Sequence, residues 1–461
     1  MPVNSTHPEY DLFAPKWRMT RAAAKSLVED NADFLPAEFK LTDKDRYSIY
    51  HARAYFLGVT GRTEKAMSGM VFRKEATFEL PSEIEYLLED FDGGGNSAEQ
   101  VAKEALSGLL ETRRQLLLVD YPTAEEGMTA AQEAAAGLRP TIATYAAENL
   151  INWRFEGVKG KRMLVLAVLQ ESENKANDEF DHDYKTVYRV LRLTDGVYTQ
   201  QTYDNQYRPI TDEYSPKMAG GVPFDHIPLH GVRELENPPL LDIAKVNIAH
   251  YRNIADLEDS AYIVGQPMAH LNTGETSAQE FTEANPEGVK FGSRKGVVTK
   301  GGSLDLVQAS ENNLIRTIKQ DKELEMIMLG AQLITRGGQA ETAESVRLNA
   351  SAEASVLDGI VNDLSEDMEA AFEDAARFVG ADVNTVEYSL NTDFWENGLS
   401  PQAFMAVVQG FTNKLYAQAD AIDMIRNGKI GIDAERTNDQ IQEDIASSIL
   451  DESVDIPRQQ L

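Results

Sequence analysis

The stretch from Asn237 to Pro267, NPPLLDIAKVNIAHYRNIADLEDSAYIVGQP, constrains the fold most, because it has the period of a long helix with two apolar stripes instead of one. Leu241, Ala244, Ile248, Tyr251, Ala255 and Tyr262 fall in one row, while Ile243, Val246, Ile254, Leu257, Ala261 and Val264 fall in a second. The remaining face carries Asp242, Lys245, Arg252, Asn253, Asp256 and Asp259. An ordinary surface helix shows a single stripe. A helix gripped on two sides and wet on the third is a stave in a wall of neighbours or the central helix of a large core, and the pattern alone allows both. Asn237 is placed to cap it, and Pro238 and Pro239 suit a first turn, where a missing N–H leaves nothing unsatisfied.

Charge removes several function classes. Seventy-five acidic residues against forty-four basic give −31, and such a chain repels duplex DNA on average, because tight binding depends on Lys and Arg displacing counterions from phosphates. The 461 residues hold no cysteine, which excludes disulfides and Cys-ligated metals and fits a reducing compartment. The N-terminus, MPVNSTHPEYDLFAPKW, has neither the basic start nor the apolar run of a secretion signal. The longest apolar run, Met163 to Leu169, is far below the roughly 20 residues a membrane span needs. The expectation is a soluble, unexported protein of two to four domains.

Along the chain, residues 1 to about 40 are Pro-punctuated and weakly patterned, and read as an arm that orders only on assembly. A helix is expected from Thr42, with Tyr47, Tyr50, Ala54 and Leu57 at helical spacing. Ser82 with Glu85, and Ser97 with Gln100, have the spacing of capping boxes. Thr123 to Gly137 reads as a surface insertion. From Arg114 to Ile227 the pattern turns to strands: Leu116 to Val119, Lys161 to Gln170, and Tyr184 to Leu193 joined to Val197 to Tyr203 by Asp195-Gly196, a strong two-residue hairpin signal. Residues 268 to 308 are rich in Gly, Thr, Ser and charge around strand-like pieces such as Gly296 to Lys300, and Ser310 to Ile334 reads as a second long helix.

Gly337 and Gly338 precede a third long helix, Glu341 to about Val379, whose Leu357, Val361, Leu364, Met368, Ala371, Ala375 and Phe378 alternate steps of four and three as a packing seam. Val386, Tyr388 and Leu390 alternate with polar residues as a half-buried strand. Helices are expected from Ser400 to Asn427 and from Asp433 to Leu450.

Nothing in the chain reads as a catalytic centre. Gly288 to Gly296 lacks the spacing and the trailing Lys-Ser/Thr of a phosphate loop, and Gly93-Gly94-Gly95-Asn96-Ser97 has no lysine and reads as a loop with an N-cap. His226 and His230 are spaced like a zinc pair, but Pro228 blocks the helix that would bring them to one face. His182 sits in an acidic run, Asn177 to Asp183, that reads as a solvated loop. No Ser/His/Asp set and no Gly-x-Ser-x-Gly stand out. The reading is a non-enzyme with no cofactor and no metal.

Several pieces, in order, carry a resemblance: Gly61-Arg62-Thr63 leading into Gly69 to Lys74, Asp92 to Ser97, Leu117 to Pro122, Tyr145 to Arg154, Tyr188 to Leu191, the PPLLDIA, NIAHYR, ADLE and GQP pieces of the long helix, and Leu329-Gly330-Ala331 followed by Glu341-Thr342-Ala343. Collinear over roughly residues 47 to 380, they resemble the portal proteins of tailed bacteriophages, in a branch often described only as uncharacterised phage protein. One departure is Glu111 to Gln115, where relatives place a glycine beside the arginine before the LLVDYP-like strand.

The resemblance implies an α+β wing (1–237), stem helices (238–267 and 309–334) flanking a clip (268–308), a tunnel loop (335–344), a long helix and returning strand (345–399) and a helical crown (400–461). It implies a ring, usually of twelve, at the portal vertex of a virion assembled in the host bacterial cytoplasm. Expected partners are major capsid or scaffold protein, terminase, a head–tail adaptor or tail protein, and double-stranded DNA in transient contact; no membrane is involved. Implied roles follow: Thr335, Arg336, Gly337, Gly338 and Gln339 face DNA, Lys290, Arg294, Lys295 and Lys300 form a docking surface on the clip, and Lys245, Arg252, Arg316 and Lys319 lie on the stem. For the cations of the second stem helix, Arg316, Lys319 and Lys322, ion pairs between subunits with neighbours such as Glu323 and Glu325 are favoured over contact with DNA. Two rivals remain: a different virion structural protein such as a head–tail adaptor, which should lack paired long helices around an insert, and an acidic metal-dependent hydrolase.

Overall fold

The computed structural model describes residues 2–37, 40, 42–121, 138–158, 160–175, 178, 180–266, 268–284, 286, 301–307, 313–329, 343–392, 394 and 440. The chain divides into two compact units, residues 1–392 and 393–461. The first is mixed helix and sheet, as the α+β expectation required. The crown apart from residue 440, residues 335–342 of the tunnel loop, the insertion at Thr123 to Gly137 and the strand-like Gly296 to Lys300 lie outside the described residues, and the last two residues of the expected tunnel loop begin a long helix.

The first correction comes at once. The expected arm is a helix, α1 (Pro8–Ala24), begun by His7, whose Nδ1 accepts from the Glu9 N–H, with Pro8 in its first turn. Its Phe13 and Trp17 are buried beside Ala147, and Ala22 and Ala23 join a core with Val28, Phe34, Leu35 and Tyr50. Arg21 reaches across to Glu111 at 2.6 Å and Glu148 at 2.9 Å. The helix is an integral layer.

Next come α2 (Lys44–Arg53), capped by the Asp43 carboxylate, and α3 (Val59–Val71). The single helix expected through Leu57 stops at Ala54, which is extended. Gly61 on α3 lies so near α1 that an added Cβ would meet the Ala24 carbonyl oxygen at 2.2 Å, so a side chain is excluded there. Strand β1 (Thr77–Glu79) precedes a 3-10 turn over Glu85–Leu88 that lacks the box expected of Ser82, whose hydroxyl bonds the neighbouring Glu83. The Ser97–Gln100 box does open α4 (Ala98–Thr112).

At the end of α4, Arg113 takes φ +63°, the left-handed conformation that favours glycine. That is the site of the departure at Glu111 to Gln115. The strand that follows, β2 (Gln115–Asp120), is the centre of a three-stranded sheet between β3 (Thr141–Ala146) and β8 (Leu229–His230). A four-stranded antiparallel meander runs β4 (Leu150–Val158), β5 (Lys161–Asn174), β6 (Tyr184–Thr194), β7 (Val197–Tyr203). The turn between β6 and β7 has Asp195 at φ +55° and Gly196 at φ +78°, both left-handed, as a tight hairpin requires.

After the sheets the chain enters α5 (Leu241–Val264), then strand β9 (Met268–Asn272), a short helix α6 (Ala278–Ala284), strand β10 (Ser303–Val307) and helix α7 (Asn313–Met328). Helix α8 (Ala343–Val379) spans 37 residues, and β11 (Glu387–Ser389) returns to pair with β1. At about 1.5 Å per residue α8 is roughly 55 Å long. All seven residues of its expected seam, Leu357 to Phe378, are buried. No helix among the described residues is long and apolar enough to cross a membrane.

Candidate functional site

Helix α5 is held by the chain's own elements over its first four turns. Ala244, Ile248, Tyr251 and Ala255, the first row, pack into the core formed by α1, α2 and residues 28–35. From the second row Ile243 and Ile254 are buried too. The helix starts at Leu240 with no side-chain cap, after a turn from Pro238, and Asn237 accepts a hydrogen bond from Lys16 at 2.8 Å instead. Both stripes are therefore filled from within along this half, so they do not demand neighbouring copies there.

Two polar residues in the apolar rows fasten the helix. Asn247 is fully buried; its amide donates to the Leu57 carbonyl at 2.8 Å, and its Oδ1 accepts from the backbone N–H and hydroxyl of Thr60 at 3.1 and 3.0 Å. Those bonds tie α5 to the start of α3. His250, also fully buried, faces Glu323 of α7 at 3.3 Å. Burial holds its pKa below the ordinary value, with Glu323 opposing that shift.

The far end differs. Strand β9 begins four residues after α5, β10 ends shortly before α7, and Met268 pairs with Val307, so the end of α5 and the start of α7 are brought together. With His250 against Glu323 further along, the helices run antiparallel, joined by the insert. Tyr262 and Ile263 on α5, Leu306 and Val307 on β10, and Leu314 and Ile318 on α7 are all exposed there.

Helix α8 anchors the other side. Arg233 bonds Asp367 and the Asp363 carbonyl, and Arg113 pairs with the Asp363 carboxylate at 2.7 Å. Deeper in, Asp374 is fully buried and its Oδ2 accepts from Nε2 of both His226 and His230, each at 3.0 Å, while Arg377 donates to Oδ1. The Nδ1 of His226 meets Asp225 at 3.0 Å. Carboxylates only accept, so His226 with one on each nitrogen is an imidazolium. Burial works against that charge, but the bonds to Asp374 and Asp225 outweigh it and raise the pKa. Burial likewise opposes the Asp374 charge, and the two imidazoles hold its carboxyl well below the usual range. The pair read as blocked by Pro228 does converge without a helix, because the chain bends at His226 and turns over Pro228, where the Leu229 N–H donates to the Ile227 carbonyl at 2.8 Å. It converges on a carboxylate; among the described residues no group of three His, Asp or Glu could hold a metal ion.

Of the stem cations, Lys245 pairs with Asp242 at 2.9 Å, the Arg252 Nε donates to the Phe34 carbonyl at 2.9 Å, and Lys319 pairs with Glu323 one turn on. Arg316 is exposed. The Glu323 pairing expected between subunits is formed within one helix. Thr335 to Gln339, Lys290, Arg294, Lys295 and Lys300 lie outside the described residues. The sequence reading missed Asn247, His250, Asp374 and Arg233; a polar residue interrupting an apolar row was the available signal for the first two.

A family described as a domain of unknown function (DUF4055) matches residues 239–379, which runs from two residues before α5 to the last residue of α8. No curated protein matches the chain. Among solved structures it is similar to chains of gene transfer agent particles: the neck of an empty particle computed with C6 symmetry (12% identity, 80% of this chain and 90% of that chain, TM-score 0.40), the virion of the native particle (10%, 83% and 93%, 0.39), and the neck of the native particle computed with C12 symmetry (12%, 83% and 93%, 0.40). Scores at this level do not establish a common fold.

Proposed function

We propose that this chain is the portal subunit of a tailed phage or phage-like particle, a ring-forming conduit for DNA with no catalytic activity of its own. One observation carries the reading: an antiparallel helix pair, fastened to the body at one end, encloses a small α/β insert and exposes apolar residues where the insert begins. A second copy is the natural cover for that surface, and a heterologous contact that closes gives a ring. The ordered sequence pieces from residue 47 to 380 support the same reading, and the paired helices favour it over a head–tail adaptor. The proposed partners are twelve copies of the chain, capsid or scaffold protein, terminase and an adaptor or tail protein, with DNA passing through.

The experiment is electron microscopy and native mass spectrometry of the purified chain. Closed rings of ten or more subunits are expected; a monomer at every concentration and salt tried sinks the proposal. A second test addresses Arg336 to Gln339, proposed to face DNA. Their deletion should leave rings intact and change the DNA retained in assembled particles, and a full, stably held genome would remove that role. Purified protein should hydrolyse neither ATP nor DNA, and turnover abolished by one substitution in this chain would contradict the reading.

A further inference from the structure

The four-stranded meander carries opposite charge at its two ends. At one end, where β4 gives way to β5, the described residues of 154–162 hold three basic residues against one acidic in a chain of net −31. At the other, residues 171–185 hold six acidic residues against two basic. The fourteen residues of β5 run from one to the other, about 45 Å at roughly 3.3 Å per residue.

The acidic end is also unfinished as a sheet. Pairing between β4 and β5 stops at Leu169, and pairing between β6 and β7 starts at Tyr188, yet β5 and β6 stay paired out to Asn174 and Tyr184. The last pairs, Glu173 with Lys185 and Asn174 with Tyr184, form a two-stranded ribbon with no third strand beside it among the described residues. Such a ribbon is marginal in water by itself. At its tip Phe180 is 84% exposed and Tyr184 62%. The turn holds the Phe180 backbone, whose N–H donates to Asp178 at 2.9 Å. Asp178, Asp181 and Asp183 flank Phe180 and Tyr184 along the sequence, Asp183 paired with Lys185 at 3.0 Å.

We infer that the acidic ribbon tip of one copy docks on the basic β4–β5 turn of the next copy in the ring. The chemistry is matched on both counts: carboxylates meet Lys161 and Arg162, and exposed aromatic faces attract ammonium and guanidinium groups. Arg162 already lies over Phe155 at 4.9 Å, and its ion pair with Glu234 joins two exposed side chains, which is a weak competitor. Because tip and turn are different patches, each copy offers one to each neighbour, the head-to-tail arrangement that closes as a ring. The inference rests on the ring reading above and adds a surface to it. It uses none of the apolar residues at the far end of the helix pair.

The test is a charge-reversal set on the full chain, with assembly followed by sedimentation and native mass spectrometry at low and high salt. One variant carries Asp178→Lys, Asp181→Lys and Asp183→Lys, a second carries Lys161→Glu and Arg162→Glu, and a third carries all five. Each partial set should raise the concentration for half-assembly on the order of tenfold at low salt, because like charges then face each other. The full set should restore assembly, which a folding defect would not do. Partial sets that assemble like the parent overturn the inference while leaving the ring reading standing, as does a full set that fails to recover. Loss of assembly from the turn variant alone, with the tip variant unaffected, would show that the turn meets some other surface of the neighbouring copy and overturn the inference. Absence of rings from the unaltered chain would overturn the ring reading and this contact with it.

Discussion

The two halves of α5 have similar composition and opposite surroundings. Ile248 in the first half is 2% exposed and Ile263 in the last turn is 51% exposed. The first is surrounded by α1, α2 and residues 28–35, whereas the second belongs to none of the buried apolar clusters of the described residues. An apolar stripe thus carries two meanings along one helix, folding of the subunit in the inner half and assembly in the outer half. Sequence periodicity cannot separate them, because the same spacing serves both.

Matched substitutions break or sharpen that contrast. Replacing Asp374 by Ala strands two imidazoles and Arg377 around a buried gap, and should cost about 3–5 kcal/mol in denaturant unfolding. Ile248→Ala should cost about 2–5 kcal/mol by the same measurement. Asn247→Ala leaves the buried Thr60 N–H without its acceptor, for about 1–3 kcal/mol. Ile263→Ala should change subunit stability by less than about 0.5 kcal/mol while weakening assembly in sedimentation. Equal stability losses at Ile248 and Ile263 would erase the distinction between halves.

The smallest expected effect is one of pH. The raised pKa of His226 means that its contribution is full below about 6.5 and is lost as pH rises through the higher folded value. Glu111, buried and pushed up to about 7, works in the same direction, its folding contribution falling between about 4.5 and 7. His250 has the opposite sign, opposing the folded state as pH falls below about 6.5. With the base-catalysed rise in intrinsic exchange divided out, amide protection across residues 218–230 should therefore fall from pH 6 to pH 9, and His226→Gln should flatten that change. An unaltered pH response in that variant would detach the effect from His226.

What was legible was what is local. The β6–β7 hairpin follows from Asp195-Gly196, the α4 start from Ser97 and Gln100, and the α8 seam from its own spacing. Helix α1 was not, because Pro8 and Pro15 read as breaks; one sits in the first turn and the other is accommodated inside the helix. Its buried face is completed by residues that the local pattern cannot show, at Ala147, Leu235 and Ala244. The His226–Asp374–His230 cluster was half legible. The spacing of the two histidines was visible, whereas their shared carboxylate lies 144 residues beyond His230.

The position of α1 sets a timetable for synthesis. Trp17 leaves the ribosome well ahead of the surfaces that cover this helix, which include Ala147, Leu235, Ala244 and Ile248. At about 5–20 residues per second, the interval from Trp17 to Ile248 is on the order of ten to fifty seconds. Throughout it the nascent chain carries an indole, a phenyl ring and an alanine-rich face whose cover is still unmade, and only the arrival of α5 completes the enclosure of a helix made long before it.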